Sequence, residues 1–352
     1  MGRFDIRGTP PIDLTIPRLA GLNTAESFSE IDMTQSPSLL NALPNKIGGL
    51  AKRAGSVPLT TAALGAAIKV LCNLRKDGVN NILATSGTTL YKYAAGAFTA
   101  QTMTNALNSA DIDFAQFKDD NGAEVLVIAD GGNLKYYDGT AVANITPAAD
   151  DAAPLPSNDL ANINTNHPPI GCLVHNTRVV IWDGSDTIWD GKVGFYDYFA
   201  QTDFTRFVRE NDYVVTCASY SGALLAFMRR HIAVRFGQDI NNWSQDFLDT
   251  TDGCLNAKTV QTVVYPDGRE EIFYLSDHGV HSVYTINTLS LDTSARYSTK
   301  SMTKGLNDWD ALGVAAADWA KATAHFKDGR YWLIYPNGSD WKGLVFDTID
   351  GQ

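Results

Sequence analysis

Residues 270–283 read EEIFYLSDHGVHSV, and this stretch decides the fold. Ile272, Tyr274 and Leu275 form an apolar strand, Ser276-Asp277-His278-Gly279 is a tight turn, and Val280-His281-Ser282-Val283 starts a strand back. Short polar residues and glycine accept the backbone angles and local hydrogen bonds of a reversal, so the pattern reads as a β-hairpin. Related hairpins recur along most of the chain. A single hairpin is marginal in water, so these units must stack on one another.

The repeat is visible when two stretches are laid side by side. NNILATSGTTLYKYAAGAFTAQ (80–101) and AEVLVIADGGNLKYYDGTAVANI (123–145) share strand, small-Gly turn, Leu-Tyr or Leu-Lys-Tyr-Tyr strand, Gly turn and strand. Each unit carries four candidate strands in about 35–40 residues, the period of a propeller blade. The first unit places strands at 68–74, 81–86, 89–93 and 97–101, and the second at 112–117, 124–129, 134–137 and 141–145. A Pro-, Ala- and Asp-rich break at 146–166 reads as an inter-blade loop, because the repeats resume after it. The third unit has strands at 171–174, 177–182, 187–190 and toward 195–199; the fourth at 213–219, 224–228 and 231–236. The fifth has 259–264, 271–275 and 280–284, and the last 322–326, 330–335 and 341–346. Residues 286–318 show few strand signals, and 289–312 reads as a short helix or a long loop. The expected architecture is all-β: a β-propeller of about six blades over residues 61–352, preceded by an extended N-terminal arm over residues 1–60.

The arm differs from the repeats. Pro10-Pro11 and Pro17 keep its start extended, and its apolar residues come singly or in pairs, with a short strand expected near 49–52. Part of residues 45–60 is a candidate to supply a strand to the last unit and close the ring, which would remove exposed sheet ends.

The 352 residues are 44% hydrophobic and 19% charged, enough for a core. The formal net charge of −11 disfavours tight, sequence-independent grip on nucleic acid, which needs Lys and Arg facing phosphate. It suits a surface past which DNA slides without sticking. Cys72, Cys172, Cys217 and Cys254 are far apart, with no CxxC pair, and read as buried free thiols. The start has no apolar leader and no window approaches 18 apolar residues, so neither a signal peptide nor a membrane span is expected.

No stretch reads as a catalytic or cofactor motif, and no cofactor is expected. His278 and His281 flank a hairpin turn and read as structural. WDGSDTIWDG (182–191) is acidic and glycine-rich, but its spacing departs from a calcium loop and reads as turns. Trp182, Trp189, Trp332 and Trp341 read as blade core. Two cationic groups are candidate contacts for a partner or DNA. Arg229, Arg230 and Arg235 form one, on the expectation that 229, 231, 233 and 235 share a strand face. Lys46, Lys52 and Arg53 form the other, near the arm.

Three stretches resemble a group of bacteriophage virion proteins, the β-propeller proteins of the neck and tail nozzle in short-tailed phages (packaged-DNA stabilisation or head-completion proteins). The first lies in the arm: Gly21-Leu22-Asn23, residues 38–41, and Gly49-Leu50-Ala51-Lys52-Arg53-Ala54-Gly55. The second is 171–181 with Trp182-Asp183-Gly184, and the third is Gly253-Cys254-Leu255-Asn256 through Val263, followed by 273–283. The family often continues past the last blade, whereas this sequence stops at Gln352, which favours a neck or adaptor ring over a long nozzle. The resemblance implies a virion protein without enzymatic activity. It implies a ring of copies, six by expectation, beneath the portal or an adaptor and among other tail proteins. That ring would extend the channel for double-stranded DNA and help retain the packaged genome. The alternatives are a capsid-surface or tail-fibre attachment protein on the same fold, and a propeller carbohydrate-active enzyme. The enzyme would need a carboxylate pair, for which Asp130, Asp183, Asp277 and Asp347 are the candidates.

Overall fold

The structure is a computed structural model. It describes residues 59–60, 62–149, 157–237, 242–286, 296–303, 312 and 314–348, together with the backbone of four short strands in the arm. These are β1 (Gly21–Leu22), β2 (Gln35–Ser36), β3 (Ala42–Pro44) and β4 (Leu50–Lys52). β1 pairs parallel with β2, and β3 pairs antiparallel with β4.

Six successive antiparallel sheets follow, arranged as a six-bladed β-propeller. Blade 1 holds β5 (Ile68–Lys76), β6 (Val79–Ser86), β7 (Thr89–Ala94) and β8 (Ala97–Ala100). Blade 2 holds β10 (Asp113–Lys118), β11 (Glu124–Ala129), β12 (Lys135–Tyr137) and β13 (Ala141–Asn144), with β9 (Thr102–Met103) added parallel on its outer edge. Blade 3 holds β14 (Gly171–His175), β15 (Arg178–Trp182), β16 (Thr187–Gly191) and β17 (Phe199–Arg206). Blade 4 holds β18 (Val214–Tyr220), β19 (Ala223–Met228), β20 (Ile232–Phe236) and β21 (Ser244–Phe247). Blade 5 holds β22 (Gln261–Val264), β23 (Glu270–Ser276), β24 (Gly279–Thr285) and β25 (Tyr297–Ser301). Blade 6 has three strands, β26 (Thr323–Lys327), β27 (Arg330–Asn337) and β28 (Asp340–Asp347). Helix α1 (Leu160–Asn166) interrupts the break between blades 2 and 3, and the single turn α2 (Ala316–Trp319) precedes blade 6. The expected strand at 49–52 corresponds to β4. Its described partner is β3, and among the described residues no strand of the arm joins blade 6.

The hairpin at 270–283 shows why the blades stack. Its register pairs Ile272 with Val283 and Ser276 with Gly279, leaving Asp277-His278 as the two-residue loop. Side chains along a strand alternate between faces. In β23, Ile272 and Tyr274 face blade 4, while Phe273 and Leu275 face blade 6. A strand covered on both sides reads as a continuous apolar run, and all four are fully buried. Burying each such side chain is worth about 1.5–3 kcal/mol. The same division holds elsewhere. Leu126 and Ile128 of β11 face blade 1, whereas Val125 and Val127 face blade 3. Leu224 and Ala226 of β19 face blade 3, whereas Leu225 and Phe227 face blade 5.

The end blades differ. Leu74 and Leu83 of blade 1 pack on blade 2, but Leu71 on the opposite face is 60% exposed. Tyr331 and Leu333 of blade 6 pack on blade 5, while Ile334 and Trp341 are 41% and 63% exposed. Five apolar cores therefore join successive blades, and among the described residues none joins blade 6 to blade 1.

Candidate functional site

Apart from the added β9, the strands of each blade alternate in direction. The loop between second and third strands therefore leaves at the same end as the crossover to the next blade. The first strands pack on one another, β5 on β10, β10 on β14 and β14 on β18, so they lie innermost. At the crossover end a cavity of about 420 Å³ opens among blades 2 to 5. Asp111, Asp113, Asp130, Trp182, Thr216 and Lys258 are among its lining residues.

The cavity's charges are mostly spoken for. Asp111 pairs with Lys258 at 2.5 Å. Asp130 and Lys135 form a buried pair at 2.9 Å, and Asp130 also accepts the backbone N–H groups of Asn108 and Gly132. Among the described residues Asp113 makes no ion pair. It accepts the N–H of Phe114 at 2.9 Å and of Cys172 at 3.2 Å, and burial pushes its carboxyl up to about 6. Trp182 is 1% exposed and serves as core between blades 3 and 4. Its ring lies so close to Gly171 that a side-chain carbon there would meet the indole at 2.1 Å.

A second group lies where blades 4 and 5 meet at the same end. Arg229, in the turn after β19, donates two hydrogen bonds of 2.8 Å to Asp277 in the turn of the 270–283 hairpin. That guanidinium holds Asp277 below the usual carboxylate range. His231 Nδ1 lies 2.7 Å from Asp212, and His278 Nδ1 lies 2.6 Å from Asp252. His281 is 7% exposed and burial lowers its pKa. Its Nδ1 is 3.8 Å from Asp252, and its Nε2 has no hydrogen-bond partner among the described residues. The two histidines thus share one carboxylate as structural members of the junction. Among the described residues no group of three or more His, Cys, Asp or Glu could hold a metal ion.

The candidate contacts are divided by the fold. Arg229 is half-buried in its pair with Asp277, and Arg230 beside it is exposed, its backbone N–H donating to Asp212 at 3.0 Å. Arg235 does not share their face, which corrects the expected stripe. β20 begins only at Ile232, so residues 229 and 230 belong to a turn, and Arg235 points inward, 2% exposed. Its guanidinium grips both oxygens of Asp190, at 2.5 and 2.7 Å, donates to Thr205 Oγ1 at 2.9 Å, and lies over Trp243 at 4.1 Å. It ties blade 4 to blade 3 and is unable to meet DNA. Lys52 ends β4, of which only the backbone is described, and Lys46 and Arg53 lie outside the described residues.

The four carboxylates that a glycosidase would draw on are each engaged within this chain: Asp130 pairs with Lys135, Asp277 with Arg229 and Asp347 with Arg330, and Asp183 lies 3.0 Å from His167 Nδ1. In 182–191, Asp183 accepts the Ser185 N–H, Asp186 pairs with Arg206 and Asp190 with Arg235, so the three aspartates serve three different partners. The pairs Asp111–Lys258 and Asp130–Lys135, and the unpaired Asp113, went unmarked in the sequence. Asp111 lies in the crossover from blade 1 to blade 2 and Lys258 in that from blade 4 to blade 5, so their pairing leaves no local pattern.

No family model matches the chain, and no curated protein does. Solved structures do. BBS1N, crystallised in complex with ARL6DN and soaked with lead, is similar at a TM-score of 0.50 and 10% identity, over 88% of this chain and 87% of that one. The extracellular domain of the putative one-component system BT4673 from B. thetaiotaomicron aligns at a TM-score of 0.40 and 14% identity. That alignment covers 84% of this chain but 37% of the other. At 10% identity the similarity to BBS1N shows the fold alone, a propeller.

Proposed function

We propose that the protein is a structural component of the bacteriophage head-to-tail interface, a neck or nozzle ring that extends the DNA channel and helps retain packaged DNA. The observation that carries this reading is the pair of unequal end sheets. Blade 1 offers Leu71 and Ile82 to solvent, and blade 6 offers Ile334 and Trp341. Exposed apolar side chains on two different faces are what a heterologous, head-to-tail contact between copies would bury, and such a contact closes into a ring where its rotation allows.

Three further features support it. The phrases shared with the phage group fall at packing positions: a side-chain carbon on Gly253 would meet the Arg230 backbone nitrogen at 2.4 Å. At the crossover end Asp111, Asp130 and Asp277 pair with Lys258, Lys135 and Arg229 of this chain. The net charge of −11 suits a wall that DNA slides past. Native mass spectrometry of the purified full chain is the test. A discrete closed assembly of several copies is expected, and a monomer at micromolar concentration would overturn the reading.

A further inference from the structure

The cavity at the crossover end is built jointly by the inner strands. Asp113 opens β10, Ile170 precedes β14, and Val215 and Thr216 belong to β18, so its wall is shared by blades 2, 3 and 4, and Lys258 completes it from the crossover into blade 5. Its volume of about 420 Å³ has room for roughly a dozen non-hydrogen atoms, at ~30 Å³ for each water-sized volume. Ile112, Ile170, Val215 and Trp182 make part of the wall apolar. A concave site with apolar walls and a few convergent polar groups has the form of a small-molecule site.

Charge decides what the site can hold. Three carboxylates line it, Asp111, Asp113 and Asp130. Lys258 pairs with Asp111 and Lys135 with Asp130, which leaves one negative charge in excess among the described residues. Lys258 is near enough to act on Asp113, but a swing toward it would strand Asp111, so the excess remains. Asp113 is also held in place. The N–H groups of Phe114 and Cys172 donate to its two oxygens, one from its own strand and one from the neighbouring blade. A carboxylate accepts about four hydrogen bonds, so two positions stay open. Thr216, 7% exposed, adds a hydroxyl whose only neighbours for hydrogen bonding lie outside the described side chains.

An anion in this cavity would be repelled by Asp113. A neutral ligand would bury the carboxylate further without compensating it, which is costly. A divalent metal ion needs several oxygen or nitrogen ligands, and among the described residues no group of three or more His, Cys, Asp or Glu could hold one. An organic cation answers all three constraints. The three donors of an ammonium group suffice for both open positions on Asp113 and for the Thr216 hydroxyl.

We infer that this cavity binds a small organic cation, a primary ammonium on a short apolar body, with its charge on Asp113, a hydrogen bond to Thr216 and its body against Ile112, Ile170 and Val215. Every wall residue comes from one copy, so the site stands independently of the ring.

Benzylamine, cationic at neutral pH, is the probe, and benzyl alcohol is its uncharged counterpart of the same shape. Calorimetric titration of the purified full chain is expected to show one site per chain with a Kd below about 1 mM, within reach of a ligand this small. The alcohol should bind at least about tenfold more weakly, as loss of a charge-assisted hydrogen bond implies. In Asp113→Asn the amine's advantage over the alcohol should disappear, and Thr216→Val should weaken the amine about threefold. Equal binding of amine and alcohol to the parent, amine binding unchanged in Asp113→Asn, or no saturable heat would each overturn the inference. Ile170→Trp, at an exposed position of the wall, narrows the cavity without touching a charge and keeps the test open if Asp113→Asn does not fold. It should abolish amine binding with the far-ultraviolet circular dichroism unchanged, and full binding by this variant would overturn the inference as well. Native mass measured in parallel keeps the two readings apart: a monomer that binds benzylamine removes the ring and leaves the site, whereas an assembly that does not bind it removes the site and leaves the ring.

Discussion

Replacing Arg235 by methionine should be among the most damaging single changes in this protein, although a surface role would make it mild. Asp190 is 1% exposed and Arg235 2%. Asp190 lies in β16 of blade 3 and Arg235 in β20 of blade 4, so their bidentate pair crosses a blade junction. Methionine matches much of the side chain's length but leaves a buried carboxylate with no cation. Losing one partner of a buried ion pair typically costs about 3–5 kcal/mol. At roughly 2 °C per kcal/mol for a chain of this size, the melting temperature should fall by about 6–10 °C. The informative control is the double variant Arg235→Met with Asp190→Leu. It removes both charges, and such replacements are often neutral or stabilising, so it should recover most of the loss. Thermal denaturation followed by circular dichroism reads all three proteins. A single variant within 1–2 °C of the parent, or a double variant no better than the single, would refute the argument that Arg235 acts through Asp190. An Arg235 that worked by contacting DNA would instead leave stability untouched.

Other outcomes follow from the same geometry. Gly253→Ala places a carbon 2.4–2.5 Å from the backbone at 228–230, and chemical denaturation should show a loss above about 2 kcal/mol, as other strained backbone contacts cost. Burial raises the thiols of Cys72 and Cys254 to about 12, so a thiol reagent should label almost none of the four native cysteines within minutes and all four after unfolding. Asp113 and His175 should give opposite pH slopes. The raised Asp113 carboxyl, about 6 when folded against 3.8 ordinarily, favours the protonated fold, so its contribution to stability declines as pH rises from about 4 to 6. Burial, then Arg235, lowers His175 to about 4 from 6.5, so the unfolded chain binds its proton first and stability declines as pH falls through that window. Melting curves of Asp113→Asn should therefore lose stability more steeply on acidification than the parent, and those of His175→Gln less steeply; parallel curves would contradict both assignments.

Much of the fold was legible because most blades repeat one pattern whose central strands are apolar on both faces. The hairpin at 270–283, the paired units 80–101 and 123–145, and the three strands of the last unit all appear as the spacing predicts. What escaped notice lies at the rim. β21 reads Ser-Gln-Asp-Phe and β25 Tyr-Ser-Thr-Lys-Ser; outer strands pack on one side only, so their side chains carry little apolar signal. The outer strand of blade 3 was expected toward 195–199 and instead begins at Phe199, because Phe195 and Tyr198 flank Lys192 in a loop rather than a sheet. Helix α1 hid in a break rich in Asn, with neither acidic residues in its first turn nor basic ones in its last.

The site was less legible for a different reason. Clustering along the sequence joined Arg229, Arg230 and Arg235, but a turn and a strand separate them in space, and the burial of Arg235 follows from Asp190, 45 residues away. Conversely, Asp277, which looked available in a turn, meets Arg229 only when blades 4 and 5 come together. Side-chain pairing across blades has no local signature, whereas alternation within a strand does.

The claim at the centre of this account is that the propeller works as one unit of a ring. Negative-stain images of the purified full chain test it most directly. Rings with an open centre and a constant number of units are predicted, and fields of isolated, single-propeller particles at the same concentration would contradict it.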